Sequence, residues 1–366
     1  MYYFPDSQDY LSVAKWIRFG NESVSLQKRP YMYPIWIALS ESIVPSYALW
    51  FIQMFAWIGS GILIFKIMKQ LTKNNLFSLL SLVLFARNIS LITYTYFALT
   101  EILTAFFLLL WLYFCLKATS RFKYSIYATF FSSVLSVIKP LYIYLVIFQI
   151  CINCFLWIKR KTKIGKSIYF FLMISLFPTM IQLGIMKSKF DTFKLSNIDK
   201  LAINDYYFTR IAMQKTNMEY EDAKKFVYQN EEIFWYLVRN DTKTVLISFG
   251  VNILENLFSP PVALYYPTPK PSLIKKESKF NFYYYSFFFL FCLLSFLLFL
   301  LFPLCRDFFS ITKMVVILFP ISLVVLSSGL SYWQGDRLVV PIFPISIVFL
   351  FYLFFLFFKL IKSRSK

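Results

Sequence analysis

The 366-residue chain has no histidine, which excludes imidazole-based zinc sites and Ser-His-Asp nucleophilic catalysis. Carboxylates are scarce too, 18 Asp and Glu against 38 Lys and Arg. Any acid, base or charge-stabilising role therefore falls to a few carboxylates and to Lys, Arg and Tyr. Cys115, Cys151, Cys154, Cys292 and Cys305 all lie in or beside apolar runs. The Cys151-x-x-Cys154 spacing accordingly reads as small buried hydrophobes rather than a redox pair. No basic segment followed by an apolar stretch opens the chain, so no signal peptide is expected there.

Apolar residues dominate what is present: 59% hydrophobic, 22% aromatic, mean hydropathy +0.61. A soluble globular domain cannot place that much apolar surface, so the fold class expected is an all-α polytopic membrane protein. The net charge of +20 would suit nucleic acid, but the basic residues sit in short clusters at the ends of apolar segments. That distribution serves membrane topology, and no nucleic-acid partner is expected.

About nine spans are legible, near 47–67, 76–86, 100–117, 124–138, 141–158, 168–186, 282–302, 314–328 and 338–358, with a polar turn at Arg87 and Asn88. The strongest basic cluster, Lys159, Arg160, Lys161, Lys163 and Lys166, marks its side as cytoplasmic, together with Arg306, Lys313 and the tail through Lys366. Nearly all carboxylates then face the other side, with Asp307 inside. Four parts follow: 1–46, an outer polar loop with interfacial helices; 47–186, a transmembrane bundle; 187–280, a small helical extracytoplasmic region; 281–366, the last spans and a basic tail. Within the third part, Glu219–Asn240 has Ala223, Phe226, Val227, Ile233, Phe234 and Leu237 at helical spacing. Asp241 is placed to cap a second helix, Val245 to Phe258, ending at Pro260-Pro261 and suited to a membrane surface.

Four polar features fall at the outer face: Asp6 with Asp9 and Tyr10, Lys28 with Arg29, Glu101 with Lys139, and Gln334-Gly335-Asp336-Arg337. A carboxylate there can act as a general base toward a hydroxyl or amine, and Lys or Arg can hold a departing phosphate. Each feature also has a plainer reading. Asp6 and Asp9 as solvated residues, Arg29 as a snorkelling side chain, Glu101 as a helix N-terminal charge, and Lys139 and Arg337 as interface anchors would all satisfy the pattern.

The order of these motifs resembles the GT-C class of membrane glycosyltransferases, in the branch of protein O-mannosyltransferases and aminoarabinose transferases that use polyprenyl-phosphate sugars. Asp6-Ser7-x-x-Tyr10, then Arg29-Pro30-x-x-Tyr33-Pro34, Leu99-Thr100-Glu101, Lys139-Pro140, and Asp336-Arg337 through Pro341 and Pro344 stand in matching order. The resemblance implies a GT-C-like bundle with Asp6 as the catalytic carboxylate. It also implies an acceptor or secondary site around Asp9, Tyr10 and Glu101, and donor-phosphate binding by Arg29, Lys28, Lys139 and Arg337. The expected partners are a lipid-linked sugar donor, a glycan, lipid or protein acceptor, and membrane lipids. No Asp-x-Asp motif is present, so transfer without a metal or other cofactor is expected. Members carry a span ahead of the catalytic Asp, and Met1 stands five residues before Asp6. Either the start at Met1 is internal, with a further helix upstream, or this is a truncated, inactive copy that lacks the first span. Phe, Ile and Lys usage points to a bacterial plasma membrane. Other classes compatible with many spans are a surface-polysaccharide polymerase and a flippase of lipid-linked sugars, the latter needing polar groups at mid-membrane depth.

Overall fold

Bonding from i to i−4 lets an apolar run satisfy its own backbone amides, and the described residues are mostly helical. The computed structural model describes all residues except 1, 21–23, 44–46, 161–165, 231, 233–234, 236–238, 260–261, 266–268, 302–310, 333 and 365–366. Expectations concerning Cys305, Arg306, Asp307, Lys161, Lys163, Ile233, Phe234, Leu237, Pro260, Pro261 and Lys366 lie outside the described residues. Among the described residues no strand forms, and the one extended pairing is a bridge between Tyr2 and Phe97.

The helices are α1 (Pro5–Phe19), α2 (Met32–Ile43), α3 (Ala48–Thr72), α4 (Asn75–Arg87), α5 (Ile89–Tyr94), α6 (Glu101–Ala118), α7 (Tyr124–Ile138), α8 (Ile143–Arg160) and α9 (Lys166–Ser175). They continue as α10 (Phe177–Phe190), α11 (Ile198–Leu201), α12 (Thr209–Thr216), α13 (Tyr220–Gln229), α14 (Thr242–Phe258), α15 (Pro271–Leu301), α16 (Ile311–Ser328) and α17 (Phe343–Arg364).

Five of them are long and apolar enough to cross a membrane: α3, α6, Pro140–Ile158, α16 and Val340–Lys362. The pair Ser167–Ser175 and Phe177–Phe190, bent by 47°, makes a sixth if it is one span. Pro178 in the first turn of α10 lacks the N–H that would continue α9, which accounts for the bend. Of the other expected spans, α4 and α7 are shorter apolar helices of 13 and 15 residues. Stretch 282–302 falls mostly within the 31-residue α15.

Helices α6 and α17 are the most enclosed, and α3, α8 and α16 keep an outer face. Helix α6 is apolar on all sides and packs on α3 and α7, burying Leu108, Leu109, Trp111, Leu112 and Cys115. Gly59 makes the α3 approach possible, because a Cβ there would stand 2.7 Å from the Phe106 ring. Along α3, Phe51, Phe55, Ile58 and Ile62 form an exposed apolar stripe at helical spacing.

Two helices are inside out by the standards of a soluble protein. Helix α7 buries Ser125, Thr129, Ser132, Ser133 and Ser136 while Tyr127 and Phe130 face outward. Helix α14 buries Ser248, Asn252 and Asn256, whose amides donate to the carbonyls of Gly329, Ser328 and Ser331, and exposes Leu246, Ile247 and Leu254. Small polar residues inside and large apolar ones outside is the packing that hydrocarbon favours. A polar chain also links three helices: Trp111 donates to Gln149, Gln149 to Asn153 and Asn153 to Thr129.

Local expectations fare unevenly. Asn88 follows α4 and caps α5 by accepting from Leu91 N–H at 2.9 Å, as the polar turn required. Asp241 caps α14, accepting from Thr244 N–H at 3.2 Å. Helix α13 ends at Gln229, and beyond a break at Asn230 the described residues Glu232, Trp235, Arg239 and Asn240 are helical again. Together with α12 and a π-helical stretch, Ala202–Phe208, α13 builds a separate small core around Phe208, Ile211, Ala223 and Val227. Cys151 and Cys154 are exposed rather than buried. Their i, i+3 spacing puts both on the outer face of α8 with Ile147, Ile150 and Ile158.

Candidate functional site

Four distant segments deliver charged side chains to one end of the bundle, and each does so for a local reason. Tyr2 N–H donates to Tyr96 O at 2.8 Å, and Ala98 N–H donates to Tyr2 O at 3.1 Å. Ser7 Oγ donates to Ala98 O at 3.0 Å. These bonds moor the start of α1, which Pro5 initiates, beside the start of α6, so that Asp6 and Glu101 both open helices at that end. Arg29 follows a turn whose Ser25 carbonyl accepts from Arg29 N–H, and Asn197 N–H donates to Gln27 O at 2.7 Å. Lys139 precedes Pro140 and is extended, as a residue before proline must be, which ends α7 there. Arg337 lies in the 3₁₀ turn Gly335–Leu338, which Gly335 enters at φ 63°, a left-handed conformation natural to glycine.

The result is a closed ion network. Arg29 Nη2 stands 2.8 Å from Asp6 Oδ1, and Arg337 Nη2 stands 2.6 Å from Asp6 Oδ2. Arg337 Nε donates to Glu101 Oε1 at 2.9 Å, and Lys139 Nζ reaches the same oxygen at 3.4 Å. Asp9 joins through Arg29 Nε at 3.5 Å and accepts from Ser25 Oγ at 2.9 Å. Three carboxylates thus face three cations. Beneath them Tyr10 is buried with its ring 5.0 Å from the Arg29 guanidinium carbon, and Tyr33 meets Tyr10 edge-on at 5.0 Å. Glu101 Oε2 and Tyr33 OH are buried with no hydrogen-bond partner among the described residues.

Burial alone would push the Asp6 carboxyl up, but Arg337 and Arg29 outweigh it and hold Asp6 below the usual carboxylate range. Burial likewise works against the charged form of Arg337, yet Glu101 and Asp6 keep that guanidinium firmly protonated. Asp336, one residue away, behaves oppositely. Burial pushes it up to about 6, against the pull of its donors Ser90, Val262 and Tyr94. Ser90 Oγ donates to it at 2.6 Å, Tyr94 OH at 3.0 Å and Val262 N–H at 3.0 Å.

Six residues named from the sequence, Asp6, Asp9, Arg29, Glu101, Lys139 and Arg337, are therefore brought together, with Tyr10 as their floor. Lys28 is half-buried and takes part in none of these ion pairs. Asp336 turns away to anchor the 3₁₀ turn against α5. Tyr206 was not foreseen: the π-helical stretch carries it beside Gln334, close enough to feel the Asp6 charge. As one of 26 tyrosines it carries no distinguishing signal in the sequence. Among the described residues, no three carboxylate or thiol groups converge in a metal-holding arrangement. No protein-family model matches the chain, and no curated protein or solved structure is detectably similar to it.

Proposed function

We propose that the chain is an inverting membrane glycosyltransferase that moves a sugar from a polyprenyl-phosphate carrier to an extracytoplasmic glycan, lipid or protein acceptor. On this reading the bundle has a GT-C-like arrangement of about nine spans in a bacterial plasma membrane, with the ion network at the outer face. The observation that carries the proposal is the grip of Arg29 and Arg337, which are 308 positions apart in the chain, on the two oxygens of Asp6.

A carboxylate held by two guanidinium groups is a poor base, so the network describes a resting site. The donor phosphate is a diester with one negative charge, whose two free oxygens offer the same guanidinium groups a bidentate partner, and the monoester it becomes on losing the sugar carries more charge and is held more strongly. When the donor phosphate engages Arg29, Arg337 and Lys139, Asp6 is released and its basicity rises toward the ordinary carboxylate value. Asp6 then takes the proton of the acceptor hydroxyl, whose oxygen attacks the anomeric carbon from the face opposite the phosphate. The glycosidic carbon–oxygen bond to phosphate breaks, its electrons pass to the leaving polyprenyl phosphate, and the three cations stabilise that charge. Glu101 holds Arg337 and Lys139 in place, as the shared oxygen Oε1 permits.

Purified protein supplied with a panel of radiolabelled polyprenyl-phosphate sugars tests this through release of free polyprenyl phosphate. Asp6→Asn is expected to lower the rate by about 10²–10⁴-fold, the usual contribution of a positioned base. A correctly folded Asp6→Asn protein that works at the parent rate overturns the assignment.

A further inference from the structure

Between Glu41 and Asp191 the chain has a single carboxylate, Glu101, and that one is occupied in the ion network. Cations at the far end of α3 and α6 therefore have no acid within their own stretch of the chain to meet. Lys66 and Lys69 near the end of α3, Lys117 at the end of α6 and Arg121 in the turn to α7 line one open cavity of about 540 Å³. Among the described residues, no carboxylate lines it. Lys117 is held rather than loose: its Nζ lies 4.3 Å from the Tyr113 ring centroid and 5.2 Å from that of Tyr124. Gln70 and Ser120 add uncharged polar groups to the wall.

Basic residues at helix ends serve topology wherever they point. Topology does not ask four of them to converge on one concavity, where they repel one another unless an anion lies between them. The cavity is also remote from the ion network. Lys117 is 16 residues along α6 from Glu101, about 24 Å at 1.5 Å per residue.

We propose that this cavity binds a phosphate-centred anion, supplied either by the headgroup of an anionic membrane lipid or by a soluble phosphate compound. Lys117, fixed between its two rings, is the point of attachment. Lys66, Lys69 and Arg121 supply the surrounding positive field, with Arg121 able to take two phosphate oxygens at once. The assignment is independent of the transferase reading.

The test uses the full chain in neutral detergent and has two arms. One compares retention of phosphatidylglycerol with that of phosphatidylcholine by native mass spectrometry, and the other titrates inorganic pyrophosphate by calorimetry. The cavity variant carries Lys117→Gln and Arg121→Gln. A comparison variant, Lys73→Gln with Lys359→Gln, removes the same charge from the same end at residues that do not line the cavity. Saturable binding is expected in at least one arm, and the arm that binds identifies the source of the phosphate. The cavity variant should bind about thirtyfold more weakly, two cations at a membrane surface being worth about that much, and the comparison variant within about twofold of the parent. If the double variant does not fold, Arg121→Gln alone should show about a fivefold loss. Absence of saturable binding in both arms, or equal weakening in the cavity and comparison variants, overturns the proposal.

Discussion

The two ends of α6 treat ionic groups in opposite ways. At Glu101, three carboxylates and three cations close on one another within 3.5 Å contacts, and the set is electrically balanced without help. At Lys117, four cations border an open cavity that no carboxylate lines among the described residues. Both ends draw their charges from ordinary helix termini. The difference lies in burial. A buried charge must be matched within the protein, because desolvation penalises an unmatched one by several kcal/mol, whereas a cation open to solvent or headgroups can remain unmatched. The balanced end is thus a place where a ligand must compete for partners, and the unbalanced end one where a ligand completes a set.

The hardest blow to this contrast is removal of Arg337, which serves Asp6 and Glu101 together. Arg337→Ala is expected to cost about 3–5 kcal/mol, because Glu101 would be left buried beside Lys139 alone. Thermal unfolding in detergent reads this as a large fall in midpoint. Arg337→Lys should recover only part of it, since a single ammonium cannot span both carboxylates as the fork does. A midpoint unchanged by Arg337→Ala would mean that the network contributes nothing to the fold.

Titration separates the groups at the balanced end. Asp336, pushed up to about 6, binds a proton more tightly in the folded chain than in the unfolded one, whose carboxyl titrates near 4. Its share of stability is therefore present at low pH and lost as pH rises from about 4 through about 6, by roughly 2–3 kcal/mol in all. Asp6 has the opposite sign. Held below the usual range, it contributes stability above its unfolded pKa that disappears as pH falls through the lowered value. Asp336→Asn should flatten the pH 4–7 part of the stability profile relative to the parent, and equal slopes for the two proteins would contradict the assignment. Substitution of Lys117 and Arg121 at the other end should leave that profile as it was.

A smaller effect calibrates the rest. Asn88→Ala deletes the cap of α5 without touching a charge at either end, and should cost about 1 kcal/mol. A loss as large as that from Arg337→Ala would imply that packing near α5, rather than ion pairing, holds the balanced end together.

Much of the site was legible because charge is costly in so apolar a chain. Asp6, Asp9, Arg29, Glu101, Lys139 and Arg337 had few places to go, and all six meet. Their pairing was not legible. Asp336 and Arg337 are adjacent, yet one is fixed by Ser90, Tyr94 and Val262 while the other binds Asp6 and Glu101, a division that depends on the turn at Gly335. Lys28 and Arg29 part in the same way. The outward placing of Cys151 and Cys154 was missed because hydropathy reports that a segment is apolar without saying which face meets other helices. The same blindness hid the buried serines of α7 and the glutamine and asparagine of α8.

By itself, then, the sequence determined that the protein is helical, that several helices are long enough to cross a membrane, and that its few carboxylates and terminal cations cluster away from the apolar runs. Hydropathy and capping are local properties, carried by residues within a turn or two of one another. Tertiary structure alone decided that Arg337 bridges Asp6 and Glu101, that Tyr206 lies beside Gln334, and that Lys66, Lys69, Lys117 and Arg121 share one cavity. Those outcomes depend on how helices distant in sequence settle against one another. A close approach such as that at Gly59, or a bend such as that at Pro178, sets the positions of charges many residues away.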